Sequence, residues 1–375
     1  MLKVTIQDNC GGIDLEYART EAFNFGHSEG HTPENLGVYG VGLKRAVFKI
    51  GRRFTIESKT MQGGFVCSVD VDDWLAKDGL LEDWRFPLKE TGPAPFASAA
   101  GTKIEITNLN DEVVHRINDP TFASELCRRI GRTFVFFLNQ HVRIRVGGSD
   151  IPPFDIPIGK PKQGSATYER IDERGVTVRL FVTLARPNAA GRYEPDAAGW
   201  YVVCNGRCVL TADKSDTSGW GVTAMPPFHP QYNPFLGFVF FDSEDPYKLP
   251  WTTTKHSLNR ESTIYQLVKG RMTTSAQPVL AFIRRKYKLD SDGISAEAEA
   301  SKDVASATFK DLSVRQSVFR ASVVKAKPKT TVKIQYDAEI TDVDKIRKHL
   351  GRSALAAWAI GKHTFDYFMK QEGLK

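Results

Sequence analysis

Short runs in which apolar and polar residues alternate recur through the first 110 positions, and a period of two predicts half-buried strands. They fall at residues 4–7, 53–58, 64–71 and 102–108, rich in β-branched and aromatic side chains. Together they predict one mixed sheet in an α/β block. Residues 124–138 carry a helical pattern and 141–146 a further strand, after which 147–165 is loaded with Gly, Pro and Asp, as a boundary would be.

A second block follows, with strand patterns at 177–184, 199–210 and 237–241. A long helical pattern over 260–287 puts Ile264, Leu267, Val268, Met272, Val279 and Ile283 on one side, with Pro278 as an expected kink. From 290 to about 333 the chain is rich in Ser, Ala, Lys and Asp and reads as a loosely ordered connector. The end differs again. Thr341 and Asp344 make a variant capping box, and Val343, Ile346, Leu350, Leu355, Trp358, Phe365 and Phe368 recur at helical spacings, an amphipathic segment that needs a partner surface. The expected division is 1–150, 165–290, a linker at 291–335 and a helical segment at 336–375.

Composition narrows the class. At 375 residues, 41% hydrophobic and 25% charged, the chain has apolar material for two packed domains. No apolar run reaches the roughly 18 residues of a spanning helix, so a cytoplasmic protein without membrane contact is expected. Five scattered cysteines, Cys10, Cys67, Cys127, Cys204 and Cys208, suggest neither a disulfide framework nor a zinc site, and no metal ligand set is assigned. The net charge of +7 is uneven. Residues 281–375 hold 19 Lys and Arg against 12 Asp and Glu, which leaves the first 280 residues balanced. A basic C-terminal region makes DNA a candidate partner.

The chemistry concentrates in two glycine-rich signatures, Asp8-Asn9-Cys10-Gly11-Gly12-Ile13 after a strand and Gly37-Val38-Tyr39-Gly40-Val41-Gly42-Leu43-Lys44 before a helix. A carboxylate at a strand-to-turn corner accepts a hydrogen bond from an exocyclic amine, and Gly12 lets a flat ring lie against the backbone: a way to hold adenine. In the second signature Gly37, Gly40 and Gly42 let backbone N–H groups converge at a helix N-terminus, and Lys44 adds a charge: a way to hold phosphates. The spacing is not that of the Walker-A loop.

Together the two signatures resemble the GHKL superfamily of ATPases, which includes gyrase, HtpG-type chaperones, sensor histidine kinases and MutL, and most of all its MORC-type members. Gly101-Thr102-Lys103-Ile104-Glu105-Ile106 is similar to the family's Gly-Thr strand, and Thr252-Thr253-Thr254-Lys255-His256 to its transducer lysine loop. The resemblance spans about residues 1–290. It implies a Bergerat-type α/β sandwich at 1–150 that binds ATP, followed at 165–290 by an α+β transducer domain with a βαβ crossover. It further implies that Asp8 contacts the adenine, Thr102 helps through a water, Gly40, Gly42 and Lys44 hold the phosphates, and Lys255 reaches the terminal phosphate. Residues 23–34 would belong to the ATP lid.

One departure bears on activity. The family's first motif, a helix with a Glu that activates water and, four residues on, an Asn that ligates Mg²⁺, precedes the strand leading to Asp8, and this sequence begins inside that strand. Glu21 and Asn24 stand three apart and follow Asp8, so they are read as structural. The expectation is that the helix lies upstream or comes from another chain, and that ATPase activity and Mg²⁺ use depend on it. Cys10 stands where the family has a glycine. Two functions stay open: a nucleotide-gated switch or clamp that dimerises as ATP closes it, acting on DNA or in a chaperone-like manner on proteins, and an inactive remnant serving as an interaction scaffold through 341–368.

Overall fold

The computed structural model describes residues 2–23, 42–76, 86–140, 142–222, 224–290, 304–312, 315–321, 334 and 336–374, without the side chains of 287–290. The alternating runs near the start become β1 (Val4–Gln7), β2 (Gly51–Lys59), β3 (Gly64–Asp70), β4 (Leu88–Thr91) and β5 (Gly101–Leu109), an antiparallel sheet in the order β1-β5-β2-β3-β4. Register sets its two faces: Val4 pairs with Ile106 and Ile106 with Phe54, while Ser58 pairs with Thr102. The face carrying Phe54, Ile56, Phe65, Cys67, Val69 and Ile106 is buried. Arg53, Thr55, Glu57 and Glu105 alternate onto the opposite one.

Helices cover the apolar face. A turn of helix, α1 (Leu15–Tyr17), runs into a π-helical turn at Ala18–Ala22, and α2 (Gly42–Ile50) and the short α3 (Val71–Leu75) complete the layer. This is the α/β sandwich expected for the first block. Asp14 caps α1 by accepting from the Tyr17 N–H, and Asp70 caps α3 by accepting from the Asp72 and Asp73 N–H groups. Phe23, expected at the start of a lid, is instead a core residue, edge-on to Phe65 and Phe86. The rest of the expected lid, and Gly37 and Gly40 beyond it, lie outside the described residues.

After α4 (Asp111–Ile117), α5 (Phe122–Thr133) and α6 (Val135–Leu138), the strand expected at 141–146 is reduced to β6 (Arg145–Val146), paired with β7 (Ser149–Asp150). The second sheet is built from β8 (Ile158–Pro161), β10 (Thr167–Glu173), β11 (Val176–Ala185), β12 (Gly199–Cys204), β13 (Arg207–Asp213), β14 (Phe235–Asp242) and β15 (Val304–Ser306). Its long path runs β13-β12-β14-β11-β8-β15. A two-residue strand, β9 (Gly164–Ser165), pairs apart from it with β16 (Arg320–Ala321). The run expected as one strand over 199–210 is a hairpin: Asn205 and Gly206 both take positive φ and turn the chain between β12 and β13. Strands β12 and β14 are parallel, and the connection between them runs through β13 and short 3₁₀ turns, with the long helix coming after β14.

β11, β12 and β14 are buried on both faces, which is why their sequences read as nearly continuous apolar runs. On one side lies α7 (Thr263–Asp290), through Ile264, Tyr265, Val268, Met272, Val279 and Ile283. Leu267, expected on that face, is exposed, because it projects from the opposite side of the helix to those residues. The other side is an aromatic cluster in which Phe309 meets Phe136, Phe181, Phe238 and Phe240.

Phe309 belongs to the stretch read as a connector, and residues 304–312 and 315–321 correct that reading. β15 extends the second sheet, β16 pairs with β9, and Val304, Leu312 and Phe319 are buried. The few large apolar residues of a polar-looking segment are the ones that fold it onto the sheet.

Residues 325–375 form a separate unit. Its helices, Ile340–His349 and Ala357–Gln371, pack on each other. The expected capping box is absent: Thr341 lies inside the first helix, and Glu339 occupies the N-cap without a side-chain bond. Ile360 is buried, but Trp358, Phe365 and Phe368 are 75%, 48% and 56% exposed within this unit. Among the described residues no helix is long and apolar enough to cross a membrane.

Candidate functional site

Asp8 follows β1 on the same side of the strand as Val4 and Ile6, which aims it at the end of the sheet face that carries the core. There it joins Thr102 and Ser58. The Asp8 N–H donates to the Thr102 carbonyl at 2.9 Å, and the Thr102 N–H returns a bond to Asp8 Oδ1 at 3.2 Å. Oδ1 also accepts from the Cys10 N–H at 2.9 Å. Two backbone amides thus fix the carboxylate through one oxygen, while Oδ2 of this exposed residue has no hydrogen bond among the described residues.

Behind Asp8 the turn is pinned by a buried hydroxyl that motif reading missed. Ser58 Oγ accepts from the Ile13 N–H at 2.6 Å and lies 3.0 Å from Thr102 Oγ1. A lone serine in a strand carries no signal, and only the register that sets Ser58 opposite Thr102 gives it meaning. Gly12 has φ +79°, and a Cβ there would stand 2.2 Å from the Lys59 carbonyl oxygen. At Gly101 a Cβ would stand 2.1 Å from the Asp8 carbonyl oxygen. Both contacts are with backbone, so neither glycine has room to become anything else. Cys10, in the place of a family glycine, is exposed and leaves this turn intact.

β2 begins one residue after α2 ends, and Val47 packs among Phe54, Ile56 and Ile106, so α2 runs back over its own strand. Gly42 and Lys44, in its first turn, therefore point toward the end of the sheet that carries Asp8 and Thr102. Lys44 is 1% exposed, and burial holds its ammonium below the usual lysine range.

Lys255 stands in the loop that closes between Trp251 and Leu258. It takes φ +53°, a conformation held by its N–H donating to the Thr252 carbonyl at 2.8 Å and by its own carbonyl accepting from Arg207 Nε at 3.2 Å. Its ammonium lies 4.9 Å from the Trp251 ring centroid. Burial, then the Arg207 charge, lowers its pKa to about 8.

Around Lys255 the structure gathers cations that sequence reading did not connect. A cavity of about 190 Å³ is lined by Arg129 and Arg132 from α5, Arg207, Cys208 and Thr211 from β13, and Lys255 and His256. Arg207 is laid over Phe134 at 5.2 Å, and burial alone depresses its guanidinium. His256 is pushed down by burial and then by Arg207, Arg129 and Arg45. Arg45 sits beside Lys44 on α2, so the helix of the second glycine signature and the loop of Lys255 are within electrostatic reach of each other.

Three of the other thiols are buried: burial raises Cys67 and Cys208 to about 12 and pushes Cys204 well up, so all three stay protonated.

Residues 1–83 match the family described as histidine kinase-, DNA gyrase B-, and HSP90-like ATPase. The match takes in Asp8, Gly12, Gly37, Gly40, Gly42 and Lys44, while Thr102 and Lys255 lie beyond it, and it supports ATP binding by this part of the chain. Among curated proteins no match to the chain is found.

Proposed function

We propose that the protein is an ATP-binding conformational switch, in which nucleotide held on the first sheet is read by the loop of Lys255. One observation carries this reading: Asp8, anchored by backbone through one oxygen with the other clear, at the sheet end toward which Gly42 and Lys44 point. The adenine amine donates to Asp8 Oδ2, Thr102 supports the ring edge, and Gly12 lets the ring approach the backbone. The N–H groups of Gly37, Gly40 and Gly42, with Lys44, take the phosphates. Lys255 meets the terminal phosphate, so ATP favours the closed arrangement by its differential affinity for it.

Closure of this kind brings two copies together. The basic excess of 281–375 suits DNA, and the MORC and MutL manner of clamping it is the analogy we adopt. The exposed Trp358, Phe365 and Phe368 favour a second role for 336–374 as a docking point for a protein partner, on which the scaffold reading would rest. Hydrolysis requires a general base and a magnesium ligand from a Glu/Asn helix. Among the described residues no three His, Cys, Asp or Glu side chains stand together as a metal site.

Calorimetric titration of ATP, with and without Mg²⁺, tests the reading on the full chain and on Asp8→Asn. The Asn variant keeps an oxygen for the Thr102 and Cys10 amides and replaces only the other acceptor. Binding to the parent, weakened about tenfold or more in the variant, is expected for one lost hydrogen bond to a charged group. A parent chain that binds no ATP overturns the proposal. The DNA half fails separately if duplex affinity does not fall with salt, or if Arg284→Gln with Arg285→Gln leaves the slope unchanged.

A further inference from the structure

We propose that the groove between α6 and the turns at one end of the second sheet is a docking site for a basic peptide segment of a partner protein, anchored by an apolar side chain. The inference goes beyond the nucleotide reading and does not rest on it.

The groove encloses about 1130 Å³, above the ~300–1,000 Å³ of a site for one small molecule, so it has room for several residues of a peptide. Its floor is aromatic. Phe136 and Phe137 from α6, Phe181 from β11, Phe240 from β14 and Phe309 all line it. Phe181 and Phe240 are buried, but Phe136, Phe137 and Phe309 are only half-buried and offer ring surface that an apolar side chain would cover.

The margin is acidic, with Asp172, Glu173, Asp242, Glu244 and Asp245 against Arg174, Arg179 and Lys248. Each of the three cations already has a carboxylate: Arg174 stands 3.5 Å from Glu173, Arg179 2.8 Å from Asp242 and Lys248 3.8 Å from Asp245. Asp172 is held by Arg170 and Thr177. Glu244 is exposed, with no hydrogen bond or ion pair among the described residues. The groove also holds one cation in the manner proposed, because the Arg179 guanidinium lies 5.0 Å from the Phe240 ring centroid while it bonds Asp242. A peptide Lys or Arg at Glu244 would repeat that arrangement, and the excess of carboxylates repels the phosphates of a nucleic acid.

This margin is fixed in shape. Ser243 Oγ donates to the Gly175 carbonyl at 2.8 Å, Asn205 Nδ2 donates to the Ser243 carbonyl at 2.9 Å, and the Ser243 N–H donates to Asn205 Oδ1 at 3.0 Å. These bonds tie the β10–β11 turn, the β12–β13 turn and the end of β14 together. A Cβ on Gly206 would stand 2.8 Å from the Phe137 ring, so the turn also braces one wall. A groove ordered in advance loses little conformational entropy on binding.

The probe is a short fluorescein-labelled peptide of alternating Phe and Lys, titrated by fluorescence polarisation into the full chain. Peptides of equal length with Ser in place of Phe, or Glu in place of Lys, are the controls. The variants are Glu244→Gln and Glu244→Lys, at an exposed position, and Phe137→Leu, which stays apolar but loses the ring. The Phe and Lys peptide is expected to bind the parent, less tightly as salt rises, and about tenfold or more weakly in Glu244→Lys, with Glu244→Gln between the two. Phe137→Leu should weaken it as well, and the Glu244 pair decides the matter if that variant is unstable.

No binding to the parent at millimolar peptide, equal binding of either control peptide, or an affinity unchanged in Glu244→Lys would each overturn the site. Displacement of the peptide by tryptamine at an equal affinity would assign the groove to a small organic cation and overturn peptide docking.

Discussion

The Asp8 turn and the Lys255 cleft are the two halves of the candidate site, and they are made in opposite ways. The turn is a backbone device: two amides on one carboxylate oxygen, a buried serine behind, and glycines whose neighbours leave no space for a side chain. The cleft is a charge device, built from arginines on a helix and a strand far apart in sequence and braced by aromatic rings. A geometric site is damaged by adding atoms. An electrostatic one is damaged by removing charge or protons, and experiments can separate the two.

The largest expected effect is steric. Gly12→Ala forces a Cβ toward the Lys59 carbonyl in a left-handed backbone, which overpacking and φ strain together put at about 2–5 kcal/mol of lost stability. Gly11→Ala is the control, because Gly11 has φ +95° but nothing within 4 Å of an added Cβ, and strain alone costs about 1–2 kcal/mol there. Denaturant unfolding of both variants checks the contrast. Equal losses in the two variants would mean that close approach to Lys59 is not what makes Gly12 obligatory.

The same contrast explains what could be read in advance. Asp8, Gly12 and Thr102 were legible because the turn packs its requirements into contiguous motifs, and strand pairing then set Asp8 beside Thr102. Ser58 was not, since its role exists only through cross-strand register. Arg207 was within reach: Asn205-Gly206 is a hairpin signal, and reading it would have turned the strand and placed Arg207 opposite Cys204. Arg129 was beyond reach, because nothing local says which tertiary neighbours an exposed helical arginine meets. Val304, Phe309 and Phe319 were hidden for the same reason, their packing being supplied by strands and a helix distant in sequence.

A smaller effect probes the backbone device from behind. Ser58→Ala removes the acceptor of the Ile13 N–H and the partner of the Thr102 hydroxyl at a fully buried position, at a cost of about 1–3 kcal/mol for groups left unpaired. ATP binding should weaken along with stability. An unchanged melting temperature would show that a water replaces the hydroxyl, and the turn would then be less dependent on Ser58 than its geometry implies.

The smallest effect is one of pH, and it belongs to the cleft alone. Lys255 has a folded-state pKa of about 8, below that of an exposed lysine, because burial and Arg207 disfavour its charge. Below about 8 both folded and unfolded chains carry the proton, and the cost of burying it is present in full. Between about 8 and the ordinary lysine value the unfolded chain binds more protons, so the stability of the ligand-free protein contributed by this group rises with pH. Lys255→Met retains an apolar stem against Trp251 without the charge, so the stability difference between parent and variant should shrink from pH 7.5 to pH 9.5. A bound dianion reverses the trend, because it favours the protonated lysine: over the range in which the anionic ligand keeps one charge state, affinity should fall above about 8 in the parent and show no such step in Lys255→Met. Stability curves that stay parallel across this range would mean that the ammonium is already compensated and that the cleft's charge resides in its arginines.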